Sequence, residues 1–222
     1  MKEEQIPVTI QGAKTGITGA GVPMGGHILN LSHMNQVIEH SIEADGTGRI
    51  TVEPGINLIE LRKEITARFR KEQLFWPPDP TETSASIGGI VASGAQGISH
   101  MLYGETENYI ESIRLVDGSG NVRDISRGQK EEILPGETMD ALNMVLGKEG
   151  ITGIITRITL KVIPKPEAIW GIVFFFEEKE GAAGFVDMLR SELPEAEDAK
   201  IAAVEYMDRR SMDLIEARKE TM

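Results

Sequence analysis

Three clusters of glycine and small polar residues are the parts of this chain whose types and spacing could do chemistry. The first is Gly12-Ala13-Lys14-Thr15-Gly16-Ile17-Thr18-Gly19-Ala20-Gly21. Glycines allow positive φ and close backbone approach, so consecutive N–H groups can point into one concavity. Thr15 and Thr18 add hydroxyl donors and Lys14 a positive charge, a combination suited to a pyrophosphate. The second cluster runs from Pro77-Pro78-Asp79-Pro80-Thr81 through Thr83-Ser84-Ala85-Ser86-Ile87-Gly88-Gly89 to Ser93-Gly94. Its prolines stiffen the lead-in, because each fixes φ. Its small residues leave room for a flat ring against the backbone. The third spans Leu146-Gly147-Lys148-Glu149-Gly150-Ile151-Thr152-Gly153 to Thr156. Clustered glycine is also what tight turns in a β-rich protein require, so no single cluster decides the chemistry.

Other motifs fail on their residues. Gly19-Ala20-Gly21 is followed three positions later by Met24, which breaks the dinucleotide G-x-G-x-x-G. Gly147-Lys148 lacks the Ser or Thr of a Walker loop. His27, His33, His40 and His100 show no metal-ligand spacing and read as structural or surface residues.

The elements that must position the clusters alternate between strand and helix. Ile6–Ile10 and Ile28–Leu31 read as strands flanking the first cluster. Ile42-Glu43, the turn Asp45–Gly48 and Ile50–Val52 read as a hairpin. Asn57 is an N-cap with Glu60 in capping-box position, and Leu58, Leu61, Ile65 and Phe69 share a helical face. Arg62, Lys63, Arg70 and Lys71 fall on its solvated side. Residues 76–104 read as irregular. Ile110–Val116 and Val122–Ile125 read as strands about the turn Asp117–Asn121, and Asp140–Leu146 as a short helix. Ile154–Val162 alternates: Ile154, Ile158, Leu160 and Val162 on one face, Arg157, Thr159 and Lys161 on the other. Pro164 and Pro166 mark a boundary. Beyond it the pattern restarts as strand (Ile169–Phe176), helix (Gly181–Ser191), strand (Ile201–Tyr206) and helix (Ser211 onward).

Composition narrows the classes. With 35 acidic and 23 basic residues in 222, the formal charge is −12, which does not supply the basic footprint of a nucleic-acid binder. The absence of cysteine excludes disulfides, cysteine-held zinc and iron–sulfur clusters within the chain. The longest apolar run, Ile169–Phe176 with Gly171 inside it, is far short of the roughly 20 residues a membrane span takes. Residues Met1–Gln5 are not followed by a signal-peptide apolar region. A soluble, cytoplasmic protein with no membrane span is the expectation.

Taken together, the clusters resemble the flavin-binding domain of the vanillyl-alcohol oxidase / p-cresol methylhydroxylase superfamily. The resemblance is to its branch of glycolate oxidase D subunits and flavin-dependent D-lactate dehydrogenases, and covers Ile6 to Tyr206. That branch carries R-G-G-G-T-G-x-x-G-G, P-P-D-P-S, I-G-G-x-V-A-x-N-A-x-G, Y-G and G-S-E-G-x-x-G-I-I-T. Here these stand at Gln11–Ala20, Pro77–Thr81, Ile87–Gly97, Tyr103-Gly104 and Gly147–Thr156.

The resemblance implies an α+β fold of p-cresol methylhydroxylase type. Residues 1–163 would form a two-subdomain FAD-binding domain lacking the family's first strand and helix. Residues 168–222 would begin a truncated α+β substrate (cap) domain. Gly12, Ala13, Lys14, Thr15, Gly16, Ile17 and Thr18 would wrap the FAD pyrophosphate. Pro78, Asp79, Thr81, Ser84, Gly88, Gly89 and Ser93 would line the flavin and ribityl chain, and Glu149, Gly150 and Ile155 the adenine and diphosphate side. The implied function is an FAD-dependent oxidoreductase acting on the CH–OH of a D-lactate- or glycolate-type 2-hydroxyacid, with hydride passing from substrate Cα to flavin N5. Its acceptor (electron-transfer flavoprotein, iron–sulfur subunit, quinone or O2) is not identifiable here. The catalytic residues are not assigned: the family's H-x-G-D-G-N-x-H-like segment, with its metal ligands and catalytic histidines, is not in this sequence, so the chain alone is expected to be inactive. Gln11, Ala13 and Lys14 replace the usual Arg, Gly and Gly; Gly94 replaces an Asn; Ser99 and Leu102 replace arginines. No His lies in Thr15–Thr18 for covalent attachment, so FAD is expected to be non-covalent. Alternatives are the FAD subunit of a molybdenum hydroxylase, against which the Pro77–Pro80 stretch argues, and a non-catalytic flavin-binding subunit.

Overall fold

The computed structural model describes residues 6–192 and 199–219. They divide into two compact units, residues 1–170 and 171–222.

The first unit opens on strand β1 (Val8–Gln11), which pairs in parallel with β2 (His27–Asn30). The first glycine cluster is the crossover between them. Gly26 ends it: a Cβ there would lie 2.1 Å from the Pro7 carbonyl oxygen. His27 N–H donates to that same oxygen at 2.9 Å. The missing side chain is therefore what lets β2 start beside β1.

A second, six-stranded sheet holds the core. Its order is β3 (Val37–Ile42), β4 (Gly48–Val52), β10 (Ile154–Pro164), β6 (Ile110–Val116) and β7 (Val122–Ser126), with β5 (Leu74–Phe75) pairing the far end of β10. Every pair within it is antiparallel. The alternation of β10 holds at Ile158, Leu160 and Val162, which are fully buried, but not at Ile154, where Ile155 is the buried residue before the register shift. Register shifts beside Arg157 and Leu160 bend the ladder against β6.

Helix α1 (Leu58–Arg68) closes one face. Asn57 Oδ1 accepts the Glu60 N–H at 2.8 Å, a cap worth about 1 kcal/mol. Leu58, Leu61, Ile65 and the C-cap Phe69 are buried, each contributing about 1.5–3 kcal/mol by leaving water. The exposed side carries Arg62, Lys63 and Arg70.

Two elements depart from the irregular reading of residues 76–104. Helix α2 (Ile87–Ser93) forms in the second cluster despite its two glycines. Ser86 caps its start through Gly89 N–H, and Gly94 in left-handed conformation (φ +62°) ends it. Buried Ile87, Ile90 and Val91 anchor it, so packing overrides the poor helix propensity of glycine. Helix α3 (His100–Tyr103) follows. A further hairpin, β8 (Lys130–Leu134) with β9 (Glu137–Asp140), turns at Pro135-Gly136. Asp140 then caps a 3-10 turn, Ala141–Met144, where a short helix was expected.

The second unit contains α4 (Lys179–Glu192) and α5 (Arg209–Lys219). The strands expected at Ile169–Phe176 and Ile201–Tyr206 are a correction: neither segment is assigned as strand. A strand needs a hydrogen-bonded neighbour, and neither pairs with a strand among the described residues. Phe174 and Phe176 instead pack their rings against Phe185 of α4.

Candidate cofactor site

Helix α2 is where the three clusters meet. At its start, the Ala13 N–H points to Ser86 Oγ at 3.4 Å. A Cβ on Gly12 would fall 2.1 Å from that oxygen, so the close approach needs glycine. At its end, Gly147 N–H donates to the Val91 carbonyl at 3.3 Å and Glu149 N–H to Ala92 at 2.7 Å. The third cluster thus caps the carbonyls that a helix leaves unpaired. Thr18 Oγ1 donates to Glu149 Oε1 at 2.7 Å, joining the first cluster to the third.

The first loop is an array of free donors. Its base is closed by Gln11 Nε2, which donates to the Gly21 carbonyl at 2.8 Å. Between these ends, the backbone N–H groups of Lys14, Thr15, Gly16, Ile17 and Thr18 meet no protein acceptor among the described residues. A Cβ on Gly16 would meet nothing within 4 Å. Among residues 14–18 the left-handed residue is Lys14 (φ +62°), not Gly16. Lys14 holds a conformation that costs an L-residue about 1–2 kcal/mol. Glu149 does the same at φ +52°. Ile17 is fully exposed and Met24 97% exposed, so the loop presents apolar as well as polar surface.

The second cluster divides. Thr81, Ser84, Gly89 and Ser93 are exposed beside or along α2. Ser84 Oγ donates to Glu82 Oε1 at 2.6 Å and Ser93 Oγ to the Gly89 carbonyl at 2.8 Å. Pro78 and Gly88 are buried. Gly88 makes room for protein rather than for a ligand: a Cβ there would lie 2.5 Å from Pro54 Cβ, and its N–H donates to the Pro54 carbonyl. Asp79 is half-buried and accepts from Ser99. In the third cluster a Cβ on Gly150 would lie 3.3 Å from Ile10 Cδ1. Ile155 is a core residue, 5% exposed.

Two titrations are displaced nearby. Burial and then the Asp79 carboxylate hold the Tyr103 phenol above its ordinary range. Burial, then a hydrogen bond and repulsion from Glu105, raise the Glu107 carboxyl. Two surface depressions contain no residue of the three clusters. One runs along α1 (Arg62, Lys63, Thr66, Ala67, Arg70), the other lies at the β3–β4 turn. No helix among the described residues is long and apolar enough to cross a membrane.

The donor set fits a dinucleotide pyrophosphate. It offers five N–H groups without a partner among the described residues, on one loop, a lysine, and two further glycine-bearing segments fixed around one short helix. Thr152 Oγ1, in the third cluster, is buried without a hydrogen-bond partner, a further polar atom in need of one.

Comparison with known proteins agrees. The family described as FAD binding domain matches residues 1–126. The chain is 32% identical over 179 residues to a D-lactate dehydrogenase of Anaerostipes hadrus, covering 80% of this chain and 36% of that protein. It is 29% identical over 219 residues to glycolate oxidase subunit GlcD of Bacillus subtilis, covering 96% and 43%. A D-lactate dehydrogenase of Archaeoglobus fulgidus is 29% identical over 215 residues, covering 96% and 44%. The chain thus spans less than half the length of these relatives. Among solved structures, an alkyldihydroxyacetonephosphate synthase superposes with a TM-score of 0.59 at 24% identity, over 75% of this chain and 31% of that one. That likeness shows the fold: the α+β, p-cresol methylhydroxylase type.

Proposed function

The chain belongs to the FAD binding domain family, and from that premise we propose that it is the flavin-binding portion of a D-lactate- or glycolate-type 2-hydroxyacid dehydrogenase or oxidase. The observation that carries this reading is the meeting of all three clusters on α2, with the N–H groups of residues 14–18 left free. The substrate class is supported by the names of the relatives, a D-lactate dehydrogenase and a glycolate oxidase subunit among them.

Placement supports these residue roles. Gly12 to Thr18 bind the pyrophosphate, with Lys14 adding charge. Thr81, Ser84, Gly89 and Ser93 line the flavin and ribityl side from the exposed surface of the second cluster. Pro78, Gly88 and Ile155, which are buried, support that surface, and Asp79 fixes its edge. Glu149 and Gly150 bound the diphosphate side. Residues 1–163 are the cofactor domain, and 168–222 the start of the substrate domain.

Bound FAD supplies a two-electron acceptor; the chain supplies binding, orientation and electrostatics. In this reading the base that takes the substrate hydroxyl proton is not among residues 1–222.

Titration of the purified chain with FAD should quench flavin fluorescence, and acid precipitation should release the flavin into the supernatant. NADH binding without any response to FAD would overturn the cofactor assignment, and flavin pelleting with the protein the non-covalent one. Anaerobic mixing of the FAD-loaded chain with D-lactate or glycolate should leave its flavin oxidised. Bleaching of this chain alone would place the base within residues 1–222.

A further inference from the structure

We propose that Asp79 and Ser99 are positioning residues of the flavin site: the carboxylate acts within the protein, stapling residues 97–103 along residues 75–79, and is not itself a ligand of the cofactor. The proposal rests on the reading that the second cluster lines FAD.

The geometry uses both carboxylate oxygens. Ser99 N–H donates to Asp79 Oδ1 at 3.2 Å, and Ser99 Oγ to Asp79 Oδ2 at 2.9 Å. Two buried prolines, Pro78 and Pro80, flank Asp79, so its backbone is held with little freedom. Gly97 completes the fit. A Cβ at that position would stand 2.2 Å from Asp79 Oδ1 and 2.5 Å from Asp79 N. Backbone therefore lies directly on the aspartate, leaving space for glycine alone.

Both ends of the strap are tied. Before it, Thr106, itself buried, donates from Oγ1 to the Ala95 carbonyl at 2.5 Å and from N to Gln96 Oε1 at 3.2 Å. After it, the Tyr103 ring meets Phe75 edge-on, with centroids 5.5 Å apart and planes at 76°. Tyr109 Oη donates to the Tyr103 carbonyl at 2.8 Å. The Asp79 carboxylate contributes to the raised Tyr103 phenol, which agrees with its lying close to the strap's far end. Between the ties, Ile98, His100 and Met101 face outward. Asp79 thus sets the placement of those side chains through Ser99, without presenting an oxygen of its own.

The test compares Asp79→Ala, Asp79→Asn and Ser99→Ala with the parent chain. Hydrogen exchange at the Ser99 amide is read on apo-protein, beside FAD affinity and the flavin absorption spectrum. Asp79→Ala should speed Ser99 exchange and weaken FAD binding by about tenfold, with Ser99→Ala going the same way to a smaller extent. Asp79→Asn keeps an acceptor for Ser99 N–H and can donate to Ser99 Oγ. It should restore slow exchange and parent-like affinity, and leave the flavin spectrum unmoved. Unchanged Ser99 exchange in Asp79→Ala overturns the staple. So does a flavin spectrum displaced in Asp79→Asn while Ser99→Ala binds FAD normally, because the carboxylate then touches the cofactor. If the parent chain binds no FAD, it is the flavin reading that fails, and Ser99 exchange still reports on the staple.

Discussion

Thr18 Oγ1 and Glu149 Oε1, 131 residues apart in sequence, are joined by a 2.7 Å hydrogen bond at the rim of the site. The Glu149 backbone is anchored to α2 through Ala92, whereas residues 14–18 are held mainly by this contact. The pair therefore fixes a free loop to a fixed one. Thr18→Val and Glu149→Ala each remove the hydrogen bond and should each weaken FAD binding, and the double variant should lose less than the sum. The coupling should be about 1 kcal/mol, the scale of one hydrogen bond to a charged group on an exposed rim. Strict additivity in a titration cycle would mean that the two loops act independently.

Gly16 has open space where a side chain would go. Gly16→Val should leave the thermal midpoint of the apo-protein near that of the parent. Its branched side chain should nevertheless occupy the space in front of the loop N–H groups. FAD affinity is expected to fall at least tenfold, about 1.4 kcal/mol. Parent-like affinity in a fluorescence titration would remove Gly16 from the pyrophosphate loop.

Lys14 makes a different prediction, because it pairs a useful charge with an unfavourable φ of +62°. Lys14→Gly should relieve the backbone and raise apo-protein stability by up to about 1 kcal/mol. It should also weaken FAD binding and flatten its dependence on salt, since screening acts on the lost charge. A salt dependence equal to the parent's would show that the ammonium is directed away from the phosphates.

Two carboxylates should show opposite pH behaviour. Asp124 is held below the ordinary range by its hydrogen bond from Arg114, then by the charges of Arg114 and Arg157. Its contribution is present above the unfolded carboxylate value, about 3.9, and is lost as pH falls through its lower folded value. The stability gap between parent and Asp124→Asn should therefore close below about pH 4. Glu107 is raised, first by burial and then by Glu105. Its favourable state is the protonated one, retained below the unfolded value near 4.3 and lost as pH rises through the folded value. Glu107→Gln should be more stable than the parent at pH 7 and equal to it in acid. Thermal melts across pH 3–7 read both slopes, and a parallel offset at all pH would refute either assignment.

Helix α1 was legible because local signals agreed: an Asn57 cap, Glu60 three residues on, and apolar residues at helical spacing. Strand β10 was legible for the same reason, its period of two matching the buried face. Helix α2 was not, because the Gly88-Gly89 pair disfavours helix and seven residues carry too little periodicity, and its stability comes from buried neighbours and from caps at Ser86 and Gly94. The β8–β9 hairpin could have been found from Pro135-Gly136 between two short polar strands. At the site, motif order indicated which segments would meet, yet not what each glycine does. Gly12, Gly88 and Gly97 make room for Ser86, Pro54 and Asp79, whereas Gly16 faces open space. Only tertiary packing separates glycines that admit protein from those that leave a surface bare.

Strand β10 is central in its sheet but last of that sheet's strands along the chain, with Thr159 reaching back 108 residues to Thr51. On a ribosome, the β3–β4 and β6–β7 hairpins would both emerge before the strand that joins them. Neither hairpin gains its pairing partner on its inner edge until residues 154–164 follow. Assembly of the unit is thus timed by its final segment. Pairings so distant in sequence belong to the slower folding range, about milliseconds to seconds. A nascent chain halted before β10 would display two unjoined hairpins to the chaperones, a state prone to aggregation.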